Sequence, residues 1–288
     1  MEPGLPPQPN EPSRQGKAPT MHILLTNDDG IFAPGLAAMR AALARLGDVT
    51  VVAPATEQSG VGHSITFLTP LMANHVFDAH GEVGWAVEGS PADCVKLALA
   101  ELVPERPDLI VSGINGGLNV GVNVLYSGTV AAATEGALND LPSIAVSLEY
   151  EEKPRFEIAA GMAVDVIQQM LDRNAWRDHS LYNLNIPTTA TLSEAARDAA
   201  ELRITSMGAT RWDSAFEERR DPKGRRYYWT IGTPPTEPPG GETDVVAIEQ
   251  GALSLTPLTI DRTREQQLET MRSWKLTAMR GPAPQPSA

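Results

Sequence analysis

The sequence predicts an α/β fold: a mostly parallel sheet wrapped by helices, with a β-rich hairpin extension toward the C-terminus. Three observations predict it. Short apolar runs of strand length recur from residue 21 to about 190. Segments with apolar residues at helical spacing separate them. Polar, Gly-, Asn- and Ser-bearing loops follow the runs on their C-terminal side. Strands alternating with helices at this interval argue crossover connections and a sheet wrapped by helices.

The elements follow in order. The first twenty residues hold six prolines and few core-forming side chains, so 1–20 reads as a disordered extension with the folded body starting at Met21. HILLTN (22–27) is a buried strand ending in polar residues. Residues 34–46 place Leu36, Met39, Leu43 and Leu46 on one helical face, and VTVVAP (49–54) is the second strand. Ser90 and Pro91 open a helix that runs through Leu102, with Ser90 as its N-cap. DLIVSG (108–113), SIAVS (143–147) and LYNLNIP (181–187) are further strands, interleaved with helices over 129–138 and 156–171. Residues 200–260 read as β-rich, with RITSMG, RRYYWTI and DVVAIEQGALSLTPL as strand material and 233–244 as a loop. Two placements stand for this extension: it reaches across to a partner subunit, or it covers an edge of its own sheet. The main body spans 21–262, with a core over about 21–190. A helix and tail over 263–288 end in disorder.

Composition sets limits. The 288 residues are 42 % hydrophobic and 20 % charged, which is globular. A net charge of −13 disfavours a nucleic-acid polymer as partner, because phosphate contacts need a basic face. A small phosphate remains possible, since a bound cation dominates its own site. No apolar run approaches the ~20 residues of a membrane helix, and no signal-peptide pattern opens the chain. One cysteine, Cys94, excludes an internal disulfide framework and fits a cytoplasmic location. Its apolar helical neighbours make it a core residue.

Three strands end in loops able to hold a ligand. The first runs into Asn27-Asp28-Asp29-Gly30, the second into a loop with Glu57, Gln58, Ser59 and His63, and the third into SGINGGLNVG with Asn115 and Asn119. Ligands of open α/β sheets bind outside the carboxyl ends of the strands. Adjacent carboxylates repel unless a cation relieves them. Asp28, Asp29, Ser59 and Asn115 form an all-oxygen set suited to one hard divalent ion such as Mg²⁺ or Mn²⁺. Against this, an isolated Asp-Asp-Gly is a capping turn more often than a metal site. Ser127, Gly128 and Thr129 open a helix and offer an anion site, or Ser127 is a plain N-cap. His63 is a candidate for phosphate or proton handling, or a loop histidine tied to backbone. Lys96 reads as solvated and Asp244 as a turn residue.

The strings ILLTNDDG, VVAPATEQSGVGHSIT, GSPADCVKLAL, VSGINGGLNVG, YSGTVAAATEGAL, SIAVS, YNLNIP and SLTPLTID resemble the SurE family of survival-protein 5′/3′-nucleotidases. The match spans about residues 21–262. The resemblance implies a Rossmann-like three-layer α/β core and a nucleoside monophosphate phosphohydrolase of phosphoric monoester hydrolase type, with short polyphosphate left open as a further substrate. It implies one divalent metal ion per subunit on Asp28, Asp29, Ser59 and Asn115. Asp28, Asp29 and Asn115 are the candidate catalytic residues, and the resemblance implies a phosphate pocket at Ser127, Gly128 and Thr129, to which Asn27, Gly116 and Asn119 are added as candidates. It also implies a homodimer or homotetramer that exchanges segments. Many relatives carry an acid where this chain has Asn123, a departure that bears on the network behind the phosphate pocket.

Other classes predict different behaviour. An aspartyl-phosphate phosphatase would form a phosphoenzyme and usually shows Asp-x-Asp. A regulatory module would bind nucleotide without releasing phosphate. A receiver-like domain would be about half this body's size. Base and sugar contacts are expected from the loops and the extension, with His63, Arg211 and Trp212 as candidates.

Overall fold

The computed structural model describes residues 20–79, 81–177, 181–209, 213–233 and 241–276. In chain order the elements are β1 (Met21–Thr26), α1 (Pro34–Leu43), β2 (Gly47–Pro54), β3 (Ala73–Asp78), β4 (Gly81–Val87), α2 (Pro91–Leu97), β5 (Leu109–Gly116) and α3 (Gly128–Leu138). They continue with β6 (Ser143–Leu148), α4 (Phe156–Asp172), β7 (Leu181–Ile186), α5 (Glu194–Ala199), β8 (Leu202–Ile204), β9 (Asp213–Arg220), β10 (Arg226–Thr233), α6 (Asp244–Glu249), β11 (Leu253–Pro257) and α7 (Glu265–Ser273). Two compact units result: one ends at Leu258, and the other, beginning at Thr259, contains α7. Among the described residues no helix is long and apolar enough to cross a membrane.

Nine strands form one sheet in the order β3-β4-β2-β1-β5-β6-β7-β11-β8. The neighbours from β4 through β7 are all parallel, while β3 and β11 run antiparallel to β4 and β7. From β1 the chain moves outward through β2 to β4, then returns to β5 on the other side of β1. The strand order therefore reverses between β1 and β5. Leu25 lies opposite Val111 and Thr26 opposite Ser112, so the carboxyl ends of these two strands are level. Such a reversal opens a crevice for a ligand.

Strand alternation builds the layers. Leu24, Val52 and Ile110 bury on one face with Cys94 and Val95 of α2 and Ala132 of α3. Ile23, Leu25, Val51 and Val111 bury on the other with Leu36, Met39 and Leu43 of α1 and Ile167 of α4. Both faces being covered explains why these strands are continuously apolar. Burial pushes the Cys94 thiol well above its ordinary range, so it acts as a small apolar side chain. The helix expected after Ser90 forms. The Ser90 hydroxyl accepts from the Asp93 N–H and the Asp93 carboxylate accepts from the Ser90 N–H, a reciprocal cap. The turn after Ala98 widens to π-type hydrogen bonding through Leu102.

The structure departs from the sequence reading in four places. The hairpin of β3 and β4 was not foreseen: Gly81 and Gly84 interrupt its pattern, and β3 is a largely exposed edge strand. The segment DVVAIE is helix α6, not strand. Its β-branched residues suggested a strand, but the Thr243 hydroxyl caps the Val246 N–H, and burial of Val245, Val246 and Ile248 outweighs propensity. Asp244 is therefore no turn residue. It is fully buried, and its carboxylate accepts from the N–H groups of Gly121 and Gly208, tying two loops together. The helix over 34–46 stops at Leu43, where the chain tightens into a turn. The disorder expected for 1–19 and for the last residues, and most of the 233–244 loop, lie outside the described residues.

Of the two placements for the β-rich extension, strand pairing separates them in part. β9 and β10 pair with each other as a separate two-stranded antiparallel sheet. Among the described residues neither extends the nine-stranded sheet.

Candidate metal and phosphate site

Asn27 makes the turn at the end of β1. Its side-chain amide donates to the Gly30 carbonyl (3.0 Å) and its Oδ1 accepts from the Gly30 N–H (3.2 Å). Gly30 sits at φ +102°, a conformation glycine adopts freely. The capping-turn reading of this motif is thus satisfied by Asn27, and both aspartates remain for other work. Asn27 is fully buried with its amide spent on the turn.

Asp28 is 5 % exposed. Its Oδ1 accepts from the Thr129 hydroxyl at 2.5 Å, with further support from the Thr129 N–H. Burial raises its carboxyl to about 6; the Thr129 hydrogen bond opposes the rise and the Asp29 charge adds to it. Asp29 is raised too, by burial first and by nearby Glu57, against a hydrogen bond from the Gly116 N–H to Oδ2 (3.2 Å). Among the described residues neither aspartate is paired with lysine or arginine.

The loop after β2 comes to the same place. The Gln58 N–H donates to the Asp28 carbonyl at 2.7 Å. The Ser59 hydroxyl donates to Glu57 Oε1 at 2.7 Å. At the end of β5 the Asn115 amide donates to the Gly117 carbonyl at 2.6 Å. Gly113 precedes it at φ +135°, where a Cβ would collide with the Val146 carbonyl, so this bend requires glycine. In each of the four candidate ligands the committed atom leaves an oxygen lone pair for a cation. The Ser59 proton and the Asn115 N–H₂ point elsewhere, and each aspartate keeps a second oxygen. Among the described residues no three His, Cys, Asp or Glu side chains form a metal cluster. A cation here would rest on two carboxylates completed by hydroxyl and amide oxygen, a set that fits a hard ion.

The other candidates divide. Ser127 caps α3, accepting from the Val130 N–H at 3.0 Å. Gly128 lies against Asp28: a Cβ there would be 2.8 Å from the Asp28 Cβ. The start of α3 is therefore first an anchor for the protein's own carboxylate, which the helix dipole favours. Asn119 is spent on a buried network, donating to Ser147 Oγ (2.9 Å) and to Asn185 Oδ1 through its N–H (2.9 Å). His63 is tied not to backbone but to Glu135, at 2.9 Å. Lys96, read as solvated, donates to the other oxygen of Glu135 at 3.3 Å. Arg211 and Trp212 lie outside the described residues.

A cleft of about 540 Å³ lies beside this loop, lined by Thr56, Gln58, Ser64, Thr66, Glu88 and Ser90 among others. Sequence reasoning missed Glu135. Its one signal was a charge inside an otherwise small and apolar helix. It also missed the role of Thr129 as the partner of Asp28, which pairs residues 101 apart.

Comparison with known proteins adds independent findings. The family model described as survival protein SurE matches residues 23–214. A protein named 5′-nucleotidase SurE from Rhodopirellula baltica is 52 % identical over 257 residues, covering 89 % of this chain and 99 % of that protein. One of the same name from Desulforudis audaxviator is 44 % identical, covering 88 % and 97 %. The crystal structure of a SurE protein from Aquifex aeolicus superposes with a TM-score of 0.73 at 36 % identity, covering 88 % of this chain and 99 % of that one.

Proposed function

This chain belongs to the SurE family, and from that premise we propose that it is a metal-dependent 5′/3′-nucleotidase, a phosphoric monoester hydrolase that splits nucleoside monophosphates into nucleoside and phosphate. The observation that carries the proposal is the pair Asp28 and Asp29. Both carboxyls are raised by burial, without a basic partner among the described residues, at the reversal point of the sheet. Asp28, Asp29, Ser59 and Asn115 would hold one divalent ion, Mg²⁺ or Mn²⁺, per subunit. When bound, the ion supplies Lewis acidity toward the phosphoryl group and the attacking water.

The protein's own groups do the rest. One of the two aspartates accepts the water's proton. The backbone N–H groups at the start of α3, around Ser127–Thr129, would stabilise charge on the equatorial oxygens of the phosphate. Thr129 holds Asp28 in place. The polar cleft at Gln58, Ser64 and Thr66 takes the nucleoside. A cytoplasmic location belongs to the same proposal, supported by a single, buried cysteine.

The test is phosphate release from nucleoside 5′- and 3′-monophosphates and short polyphosphate, with Mg²⁺, with Mn²⁺ and with chelator. Release from monophosphates that chelator abolishes is expected; nucleotide binding without release would leave a regulatory module instead. pH provides a second check. Asp28 must lose its proton to take a cation, and its carboxyl sits at about 6. Apparent affinity for Mn²⁺ is therefore expected to level above pH 7 and to fall up to ~10-fold per unit below pH 6. A flat profile between pH 5 and 7 would contradict this.

A homodimer or homotetramer is also proposed, joined through the β9–β10 hairpin. Tyr227, Trp229 and Ile231 alternate onto one of its faces. Trp229 is 57 % exposed. A lone two-stranded hairpin is marginal in water, and exposed aromatic faces mark contact surfaces. Placing aspartate at both Trp229 and Ile231 is expected to convert the oligomer to monomer in sedimentation velocity. An unchanged sedimentation coefficient would exclude the hairpin as the interface.

A further inference from the structure

Glu135 lies on α3, six residues beyond Thr129 and so ~9 Å along the helix. Its side chain is only 6 % exposed. Removing one partner from a buried carboxylate is costly, so its partners are constrained as much as it is. Those partners come from two other elements: His63 Nε2 meets Oε2 from the loop after β2, and Lys96 Nζ meets Oε1 from α2. Burial alone would raise this carboxyl; the His63 hydrogen bond, with Lys96, outweighs it and holds the group below the usual glutamate range.

Among the described residues, the loop that carries Ser59 is fastened on either side of that residue. On one side the Gln58 N–H donates to the Asp28 carbonyl. On the other come the Gly62 N–H to the Tyr126 carbonyl, His63 to Glu135, and the Ser90 hydroxyl to the Ser64 carbonyl. Thr66 follows, donating through its N–H and hydroxyl to Asp93. Between these points Gly60 and Gly62 take left-handed φ values of +71° and +58°, and the Ser59 side chain leans on Glu57. Among the described residues, the contact through Glu135 joins the loop to α3, whose Thr129 holds Asp28, and the Gly62 contact joins it to Tyr126 just before that helix.

We propose that His63 and Glu135 are positioning residues, which fix the Ser59 loop against α3 so that Ser59 meets the cation held by Asp28 and Asp29. This replaces substrate contact as the role of His63. It rests on the metal reading above, and the experiment separates the two.

The experiment compares native protein with His63→Ala, His63→Gln, Glu135→Gln and Asp28→Asn. It measures Mn²⁺ binding by calorimetry, kcat and KM, and hydrogen exchange of amides 59–62 in the metal-free protein. His63→Ala is expected to weaken Mn²⁺ binding at least five-fold, more than it lowers kcat at saturating metal, and to speed exchange at 59–62 at least ten-fold. His63→Gln keeps a donor for Glu135 and is expected to restore both. Where His63→Ala fails to fold, Glu135→Gln is read by the same criteria. Unchanged exchange at 59–62 overturns the proposal, as does a raised nucleotide KM with unchanged exchange, which would make His63 a substrate contact. Unimpaired Mn²⁺ binding by Asp28→Asn overturns the metal reading instead, and the exchange data then judge the tether by itself.

Discussion

Asp28→Asn is expected to lower kcat by ~10³-fold or more in a protein that still folds. Asparagine keeps one oxygen to accept from Thr129, loses the charge and turns the second oxygen into an N–H₂ donor. That charge is expensive in the metal-free chain. The Asp28 carboxyl rises from its ordinary 3.8 to about 6 on folding. Between those values the folded chain holds a proton that the unfolded chain has lost, so metal-free stability falls as pH rises through this window. Above pH 6 the loss is complete, at roughly 3 kcal/mol. The variant escapes it. Urea unfolding in chelator at pH 7 is therefore expected to show Asp28→Asn as the more stable protein, with the gap closing toward pH 4. Native turnover in the folded variant would remove Asp28 from catalysis. A less stable variant would contradict the burial argument.

Gly128→Ala is the second large effect. The added methyl would sit 2.8 Å from the Asp28 Cβ, 3.0 Å from its Oδ2 and 3.0 Å from the Pro91 ring. The nearest of these, the Asp28 Cβ, is fixed by the backbone, so Asp28 or the start of α3 must shift. A displacement of ~1 Å at a reacting centre costs ~10²-fold in rate. Alanine suits a first helical turn at least as well as glycine, so global stability is expected to change by less than activity does. The comparison is kcat at saturating Mn²⁺ against the midpoint of thermal unfolding. Activity within three-fold of native would show that the packing of Gly128 on Asp28 does not set catalytic geometry.

The alternating core was legible because its strands are buried on both faces and carry unbroken apolar runs, as at Leu24 and Leu25 or Ile110 and Val111. The loops that converge were legible because chemistry follows strand ends in this architecture. Pairings across long sequence separations were not. Nothing local joins His63 to Glu135, or Thr129 to Asp28. Asn119 looked like a phosphate ligand for the same reason, because its partners Ser147 and Asn185 belong to strands read as plain core. The hairpin of β3 and β4 escaped because an exposed edge strand with glycines lacks a strong period. The α6 segment misled in the opposite sense, since a Val-Val-Ala-Ile run favours a strand until a cap and a buried face decide otherwise.

The central claim is a single divalent-ion site on Asp28 and Asp29. Its most direct test is calorimetric titration of Mn²⁺ into chelator-stripped protein, native and Asp28→Asn, beside phosphate release by the same samples. The predicted result is one Mn²⁺ per native chain, none bound by the variant over the same range, and release that rises with occupancy. Nucleotide hydrolysis by native protein that binds no Mn²⁺ or Mg²⁺ and persists in chelator would contradict it.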